Sequence, residues 1–253
     1  MKAGGLPMRP RNKMAENTKI EWATHSFNPW IGCTKISRAC DHCYAESMTR
    51  RWGHPELWEG ERRRTSEAYW KKPLGWNQRA ASSGERPRVF CASLADVFDN
   101  QVPGEWRADL WKLVRATPNL DWLLLTKRPQ NIEWMLPQGW YPDGWPNVWL
   151  GATCEDQLEY DRRFVPHLAR LPARVRFISY EPALGPLKLG DSPPHWVIAG
   201  GESGPKARRT PEAWFRDMRD ECQRKRVAFF QKQMTKKAPI PPDLMVREFP
   251  STT

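Results

Sequence analysis

No stretch of this 253-residue chain is apolar over anything near the ~20 residues that a membrane-spanning helix needs. Acidic residues are the minority, 29 Asp and Glu against 40 Lys and Arg, for a formal net charge of +11. That imbalance says little about fold but favours polyanionic partners such as nucleic acid. The plain alternative is a basic surface that is only solvated. Cysteines are also few, six in all, too sparse for a disulfide scaffold in a chain long enough to bury a sizeable core. A reducing, cytoplasmic setting is expected. The N-terminal MKAGGLPMRPRNK is basic and lacks the apolar stretch of a signal peptide. Residues 1–13 read as a disordered basic extension, with Met14 as a candidate internal start.

What the chain does have is tryptophan, fifteen of them. Several stand in charged surroundings (Trp52, Trp58, Trp70, Trp76), where indoles either stack on bases or ligands or cap a small subdomain. Short apolar runs recur at Trp30–Gly32, Val89–Ala92, Trp122–Thr126, Val148–Ala152, Val175–Ser179, Trp196–Ala199 and Val227–Gln231. Most lack polar alternation, as parallel strands covered on both faces do. Helical spacing appears between them at Glu105–Ala116, Gln157–Leu168 and Thr210–Gln223, the last with a Thr-Pro-Glu start signal. The alternation predicts an α/β fold, a partial (β/α) barrel of about six or seven mainly parallel strands. It forms a single domain over 14–235, with a basic, Trp-rich insertion at about 50–88 and an irregular tail over 236–253.

Polar groups follow each strand: Ser93 and Asp96; Thr126, Lys127 and Arg128; Thr153 and Glu155; Ser179 and Glu181; Gly200, Gly201 and Glu202; Gln231 and Lys232. In β/α barrels the strand C-termini build the site, so these residues are expected at one mouth. The first strand leads there to GCTKISRACDHCYAE, which packs Cys33, Cys40 and Cys43 into eleven residues. Three thiolates are one short of a closed tetrahedral zinc site and one short of a fully ligated iron–sulfur cube. Zinc would use Cys40 and Cys43 as a half-site with Cys33 or His42, yet no second knuckle follows. Cys40 and Cys43 alone would suit redox exchange, which leaves Cys33 unexplained. A [4Fe–4S] cluster on three thiolates with one iron open is the third reading.

On these residues the chain resembles the radical S-adenosylmethionine (SAM) superfamily, although it reads Cys-x6-Cys-x2-Cys where Cys-x3-Cys-x2-Cys is usual. His42 takes the place that usually holds an aromatic residue. The runs TKIEWATHSFNPWIGCTKISRACDHCYAE, LLLTKRP, GATCEDQ, ISYEPALGP and VIAGGESGPKAR are similar to an uncharacterised group of phage-type proteins of unknown function with a radical-SAM-like core.

The resemblance implies that Cys33, Cys40 and Cys43 ligate the cluster and that SAM is cleaved reductively to a 5′-deoxyadenosyl radical. It puts Ser93 and Asp96 near the SAM amino group, where a Gly-Gly-Glu stretch is common. It implies Thr126, Lys127 or Arg128 for the methionyl carboxylate and Glu155 for the ribose hydroxyls. Gly200, Gly201 and Glu202 would approach adenine or a phosphate, with Glu181 at the same mouth. Arg128, Lys206, Arg208, Arg209 and Lys232 are the candidates for substrate. The insertion's Arg62–Arg64, Lys71, Lys72, Arg79, Arg86 and Arg88 suggest a nucleic-acid surface. The implied activity is modification or repair of DNA, RNA or a nucleotide, with a flavodoxin or ferredoxin as electron donor and no membrane partner. The rival readings are a zinc-stabilised binding protein without catalysis, and a radical SAM enzyme acting on a peptide or small metabolite.

Overall fold

Uninterrupted aliphatic and aromatic runs make the strands, and one polar run joins them. A computed structural model describes residues 16–251; the extension expected over 1–13 lies outside the described residues. In chain order the elements are β1 (His25–Phe27), β2 (Trp30–Ile31), α1 (Tyr44–Arg51), β3 (Arg63–Arg64), α2 (Glu67–Trp70), α3 (Lys72–Ser83), β4 (Arg88–Cys91) and α4 (Gly104–Arg115). They continue with β5 (Asp121–Thr126), α5 (Ile132–Met135), β6 (Val148–Thr153), α6 (Gln157–Glu159), β7 (Val175–Tyr180), β8 (Trp196–Gly200), α7 (Glu212–Lys225) and β9 (Ala228–Gln233).

Seven strands form one sheet in the order β1-β4-β5-β6-β7-β8-β9, and each neighbouring pair is parallel. Among the described residues the outer strands β1 and β9 do not pair with each other, so the sheet is a half-barrel. No described helix is long and apolar enough to cross a membrane.

The first parallel strand is not the expected Trp30–Gly32. It is His25–Phe27, whose Ser26 pairs with Phe90. Trp30–Ile31 instead forms a two-stranded antiparallel sheet with Arg63–Arg64. A three-residue strand containing His and Ser carries no apolar pattern, whereas Trp30–Ile31 does; the buried Trp30 belongs to the main core, its ring 6.4 Å from Trp106 of α4.

Pleating divides the sheet's side chains between two cores. Outward residues such as Val89, Trp122, Leu150, Ile178 and Val197 share a cluster with Leu110 and Val114 of α4 and Phe215 and Met218 of α7. Inward residues Phe90, Leu123, Trp149, Phe177, Trp196, Ile198 and Phe230 form a second cluster inside the half-barrel. Trp22 completes it. Its ring lies 4.5 Å from Phe90 and 6.3 Å from Trp196, spanning from β4 to β8 across the open side.

Two of the expected helices differ in detail. The 157–168 helix is three α-helical residues followed by a π-helical stretch, Tyr160–Leu168, with Pro166 inside it. Proline cannot supply an N–H to the ordinary ladder, and the wider turn closes through Ala169 N donating to Phe164 O at 2.8 Å. Thr210 does not cap α7. Its hydroxyl donates to Ala183 O at 2.8 Å, so the helix begins two residues later.

The insertion is built from charge pairs. Arg62 meets Asp99 at 2.6 Å with both side chains buried, Arg63 meets Glu56, and Arg64 meets Asp109 and lies over the Trp70 ring. Arg79 pairs with Glu16 and Arg86 with Asp121, while Arg88 covers the Phe249 ring. Trp58 and Trp76 are buried and Trp70 packs edge-on against Phe27. Most cations expected as a nucleic-acid surface are therefore spent on intramolecular carboxylates, and these tryptophans cap a subdomain. Residues 236–251 are irregular but docked: Leu244 is buried, and Trp196 Nε1 donates to Glu248 O at 2.9 Å.

Candidate active site at the mouth of the half-barrel

The chain leaves β2 through Gly32, whose φ of +119° is open to glycine and strained for other residues. A Cβ there would also stand 2.5 Å from Glu61 O. That turn delivers Cys33 to the mouth. Cys40 ends a single 3-10 turn, Arg38–Cys40, and is buried; Cys43 is the N-cap residue of α1 and half-buried. All three are free thiols lining one cleft of ≈ 180 Å³.

The same cleft is lined by Ser93, Asp96, Thr126, Lys127, Arg128, Glu181, Gly201, Glu202 and Lys232 from the strand exits. The convergence follows from parallel topology, which brings every strand C-terminus to one end. Trp22, Phe90, Leu125, Thr153 and Ser179 also line it. The mouth is thus continuous with the aromatic interior.

Many of the polar residues expected to hold a ligand hold the cysteine loop instead. Arg128 is 5% exposed; its Nη1 donates to Cys33 Sγ at 3.4 Å and Asp96 Oδ2 at 3.2 Å, and its Nη2 to Thr34 O at 2.9 Å. Asp96 is likewise saturated, accepting also from Thr126 Oγ1, Phe98 N and Lys127 N. Burial works against the Arg128 charge, but Asp96, Cys33 and Asp99 hold the guanidinium firmly protonated. Burial, then Asp96, push the Cys33 thiol up to about 11, with Arg128 opposing them.

A second knot grips the other end of the loop. Glu202 accepts from Arg208 N at 2.7 Å, from the Arg208 guanidinium, and lies 3.0 Å from His42 Nδ1. Arg208 continues to Asp41 Oδ2 at 3.1 Å and Arg38 O at 2.8 Å. Burial would raise the Glu202 carboxyl, but its bonds to Arg208 and His42 hold it down at about 2. Ser93 exchanges hydrogen bonds with Asn28, and its carbonyl accepts from Tyr44 Oη at 2.7 Å.

Three expectations move. Glu155 does not line the cleft: it is 1% exposed and held by buried Arg163 at 2.7 Å. Gly200 and Gly201 serve packing before any cofactor. A Cβ on Gly201 would meet Thr235 N at 2.5 Å, one on Gly200 would meet Glu181 Cδ at 3.1 Å, and Gly201 N already donates to Gln233 O. Lys206 and Arg209 are exposed and do not line the cleft. Glu181 and Lys232 do face each other there, Oε1 to Nζ at 2.6 Å. No ion pair among the described residues engages Lys127.

Asn28, Asp41 and the tethering role of His42 are absent from the sequence-level reading. The only available signal for Asn28 is an amide just before a proline at a strand exit; its Oδ1 accepts from Leu94 N at 2.7 Å.

Among the described residues no group of three or more His, Cys, Asp or Glu side chains is arranged to hold a metal ion. Three thiols bordering one cleft are a soft donor set of the kind that iron–sulfur groups and zinc both use.

The fold and site together define an α/β half-barrel with a cysteine-bearing loop over its mouth. The chain belongs to the family described as Protein of unknown function (DUF5131), whose model matches residues 17–243. No curated protein matches it. Among solved structures it is similar to a spore photoproduct lyase mutant with bound AdoMet and dinucleoside spore photoproduct. That likeness has a TM-score of 0.48 at 13% identity, over 93% of this chain and 69% of the other. A second mutant with dinucleoside spore photoproduct gives 0.48 at 12% identity, over 88% and 83%. The lyase complexed with dinucleoside spore photoproduct gives 0.44 at 15%, over 85% of this chain and 54% of that one.

Proposed function

We propose that this protein is a radical SAM enzyme that holds a [4Fe–4S] cluster on Cys33, Cys40 and Cys43 and acts on a nucleic acid or nucleotide. One observation carries the reading: the three thiols of one loop border the cleft onto which the parallel strands deliver their polar exits. The Cys-x6-Cys-x2-Cys loop and its resemblance support it. When bound, the cluster and SAM supply reductive cleavage of a sulfonium to a 5′-deoxyadenosyl radical.

The chain's own contribution is placement. Arg128 and Asp96 fix the Cys33 end of the loop, while Arg208, Glu202 and Asp41 fix the turn that carries Cys40. Lys127, with no carboxylate partner among the described residues, is assigned to the methionyl carboxylate. Ser93 and the Glu181–Lys232 pair are assigned to the polar edge of SAM or substrate. The apolar interior below excludes water from the reacting end. The excess of positive charge favours a polyanionic substrate, and an external reductant of the flavodoxin or ferredoxin kind supplies the electron.

The test is anaerobic reconstitution with assay of iron, sulfide and zinc, followed by dithionite and SAM. Iron near four per chain, expected for one cubane, with release of 5′-deoxyadenosine supports the reading. Each of Cys33→Ala, Cys40→Ala and Cys43→Ala is expected to abolish the release; persistence in any of them rules out that ligand. Zinc near one per chain without SAM cleavage replaces the enzyme by a zinc-stapled binding protein.

A further inference from the structure

A second concavity lies outside the half-barrel. Its walls are α4, α5 and the 136–145 loop, and it encloses ≈ 570 Å³ between Gly104, Arg107, Trp111, Lys112, Arg115, Trp134, Met135 and Trp145. It is separate from the cysteine cleft: none of its lining residues borders both.

Three indoles, Trp111, Trp134 and Trp145, line it. Trp111 and Trp145 meet edge to face at 5.7 Å, backed by Trp140 at 6.1 Å from each. Trp111 is fixed by Nε1 donating to Met135 O at 3.0 Å. Trp134, by contrast, is 64% exposed, more than any other large apolar side chain among the described residues. An indole left in water on the rim of a concavity is a surface waiting for a planar or apolar partner.

The charge of the lining narrows that partner. The lining contains three cations and no carboxylate. Arg107 is consumed internally, donating to Val97 O and Asp99 O. Arg115 lies over the Trp145 ring, Cζ to centroid 4.9 Å, and has no ion pair among the described residues. Lys112 reaches Asp109 at 3.0 Å from an exposed position, and Asp109 is shared with Arg64. Such a surface pair contributes little and yields readily to a phosphate. Indoles interleaved with cations are what single-stranded nucleic acid needs: ring faces for bases and positive charge for the backbone.

Topology ties this groove to the mouth. Parallel strands require α4 to start at the strand C-termini, so Gly104 marks the groove's mouth-side end. The other wall starts at the exit of β5, where Asn131 Nδ2 donates to Phe98 O at 2.9 Å. We propose that this groove is a single-stranded nucleic-acid track, with Trp134 stacking a base and Arg115 and Lys112 holding phosphates. The paired cations of the insertion do not serve that purpose. This rests on the nucleic-acid reading above and names where the strand lies.

The test is fluorescence anisotropy of short labelled oligothymidylate and oligouridylate with the full chain, over a series of salt concentrations. Binding that weakens with salt is expected. Trp134→Ala should loosen it about tenfold, in line with the loss of one base–aromatic stack. Trp134→Phe should recover most of it. Lys112→Gln with Arg115→Gln should flatten the log–log salt slope by about 1.4, roughly 0.7 for each lost phosphate contact. Trp134 is exposed, so a thermal unfolding midpoint equal to the parent's is expected for its variants. Absence of oligonucleotide binding, or binding that all these variants retain unchanged, overturns the proposal. A preference between the two oligonucleotides assigns the strand to DNA or RNA. Repeating the titration with Cys33→Ala protein separates the two readings. Retained binding there supports the track whatever the cluster assay gives, and binding lost with the cysteine overturns an independent groove.

Discussion

Arg128 and Arg208 do the same work at opposite ends of the cysteine loop under different solvation. Arg128 comes from the exit of β5, sits 5% exposed, and is locked between Asp96, Cys33 and Thr34 O. Arg208 comes from the loop after β8, and its side chain is 28% exposed between Glu202 and the Arg38–Asp41 turn. A buried charge pair is costly to break because the surviving ion stays desolvated, while a half-exposed one is partly re-solvated when its partner leaves. The Cys33 end of the loop is thus fixed by the fold itself. The Cys40 end is held by a clasp that water can reach.

Three measurements sharpen or break this contrast. Arg128→Ala should have the largest effect, about 3–5 kcal/mol of destabilisation from the stranded Asp96. Denaturant unfolding with a loss under about 1 kcal/mol, the range of an exposed pair, would equate the two ends. Arg208→Ala should cost only about 1 kcal/mol. It should also speed labelling of the Cys40 and Cys43 thiols by a colourless-to-coloured disulfide reagent in cluster-free protein, with partial rescue by Arg208→Lys. Equal labelling rates in parent and variant would remove the clasp. The smallest effect is on pH. Glu202 is held at about 2 in the folded chain. Its carboxylate therefore contributes stability that is complete above the usual range near pH 4.5 and is lost as pH falls toward 2. Glu202→Gln should flatten that acid limb and leave the neutral region little changed; an unaltered acid limb would show that Glu202 is not held by its partners.

The parts of the fold that could be read in the chain are those written locally. Six strands announce themselves as apolar runs, and α4 by its Trp106, Leu110, Leu113 and Val114 spacing, within a residue of the observed ends except at the end of β9, which runs two residues further. β1 escaped because three residues with His and Ser at its start form a strand through pairing with β4, not through propensity. The three cysteines and their mouth were legible because topology alone places strand exits together. The roles of the polar residues there were not. Arg128 is 95 residues from Cys33 in sequence, Arg208 is 167 from Asp41, and nothing local tells a cation that will meet a carboxylate from one that stays free. Most of the insertion's arginines carried the same ambiguity, and packing resolved it toward pairing.

The indole of Trp22 has a consequence for traffic. Lying against Phe90 and Trp196, it belongs with Trp149 and Phe230 to the aromatic interior and also lines the cysteine cleft. A group that passes the three cysteines therefore meets indole and phenyl faces next.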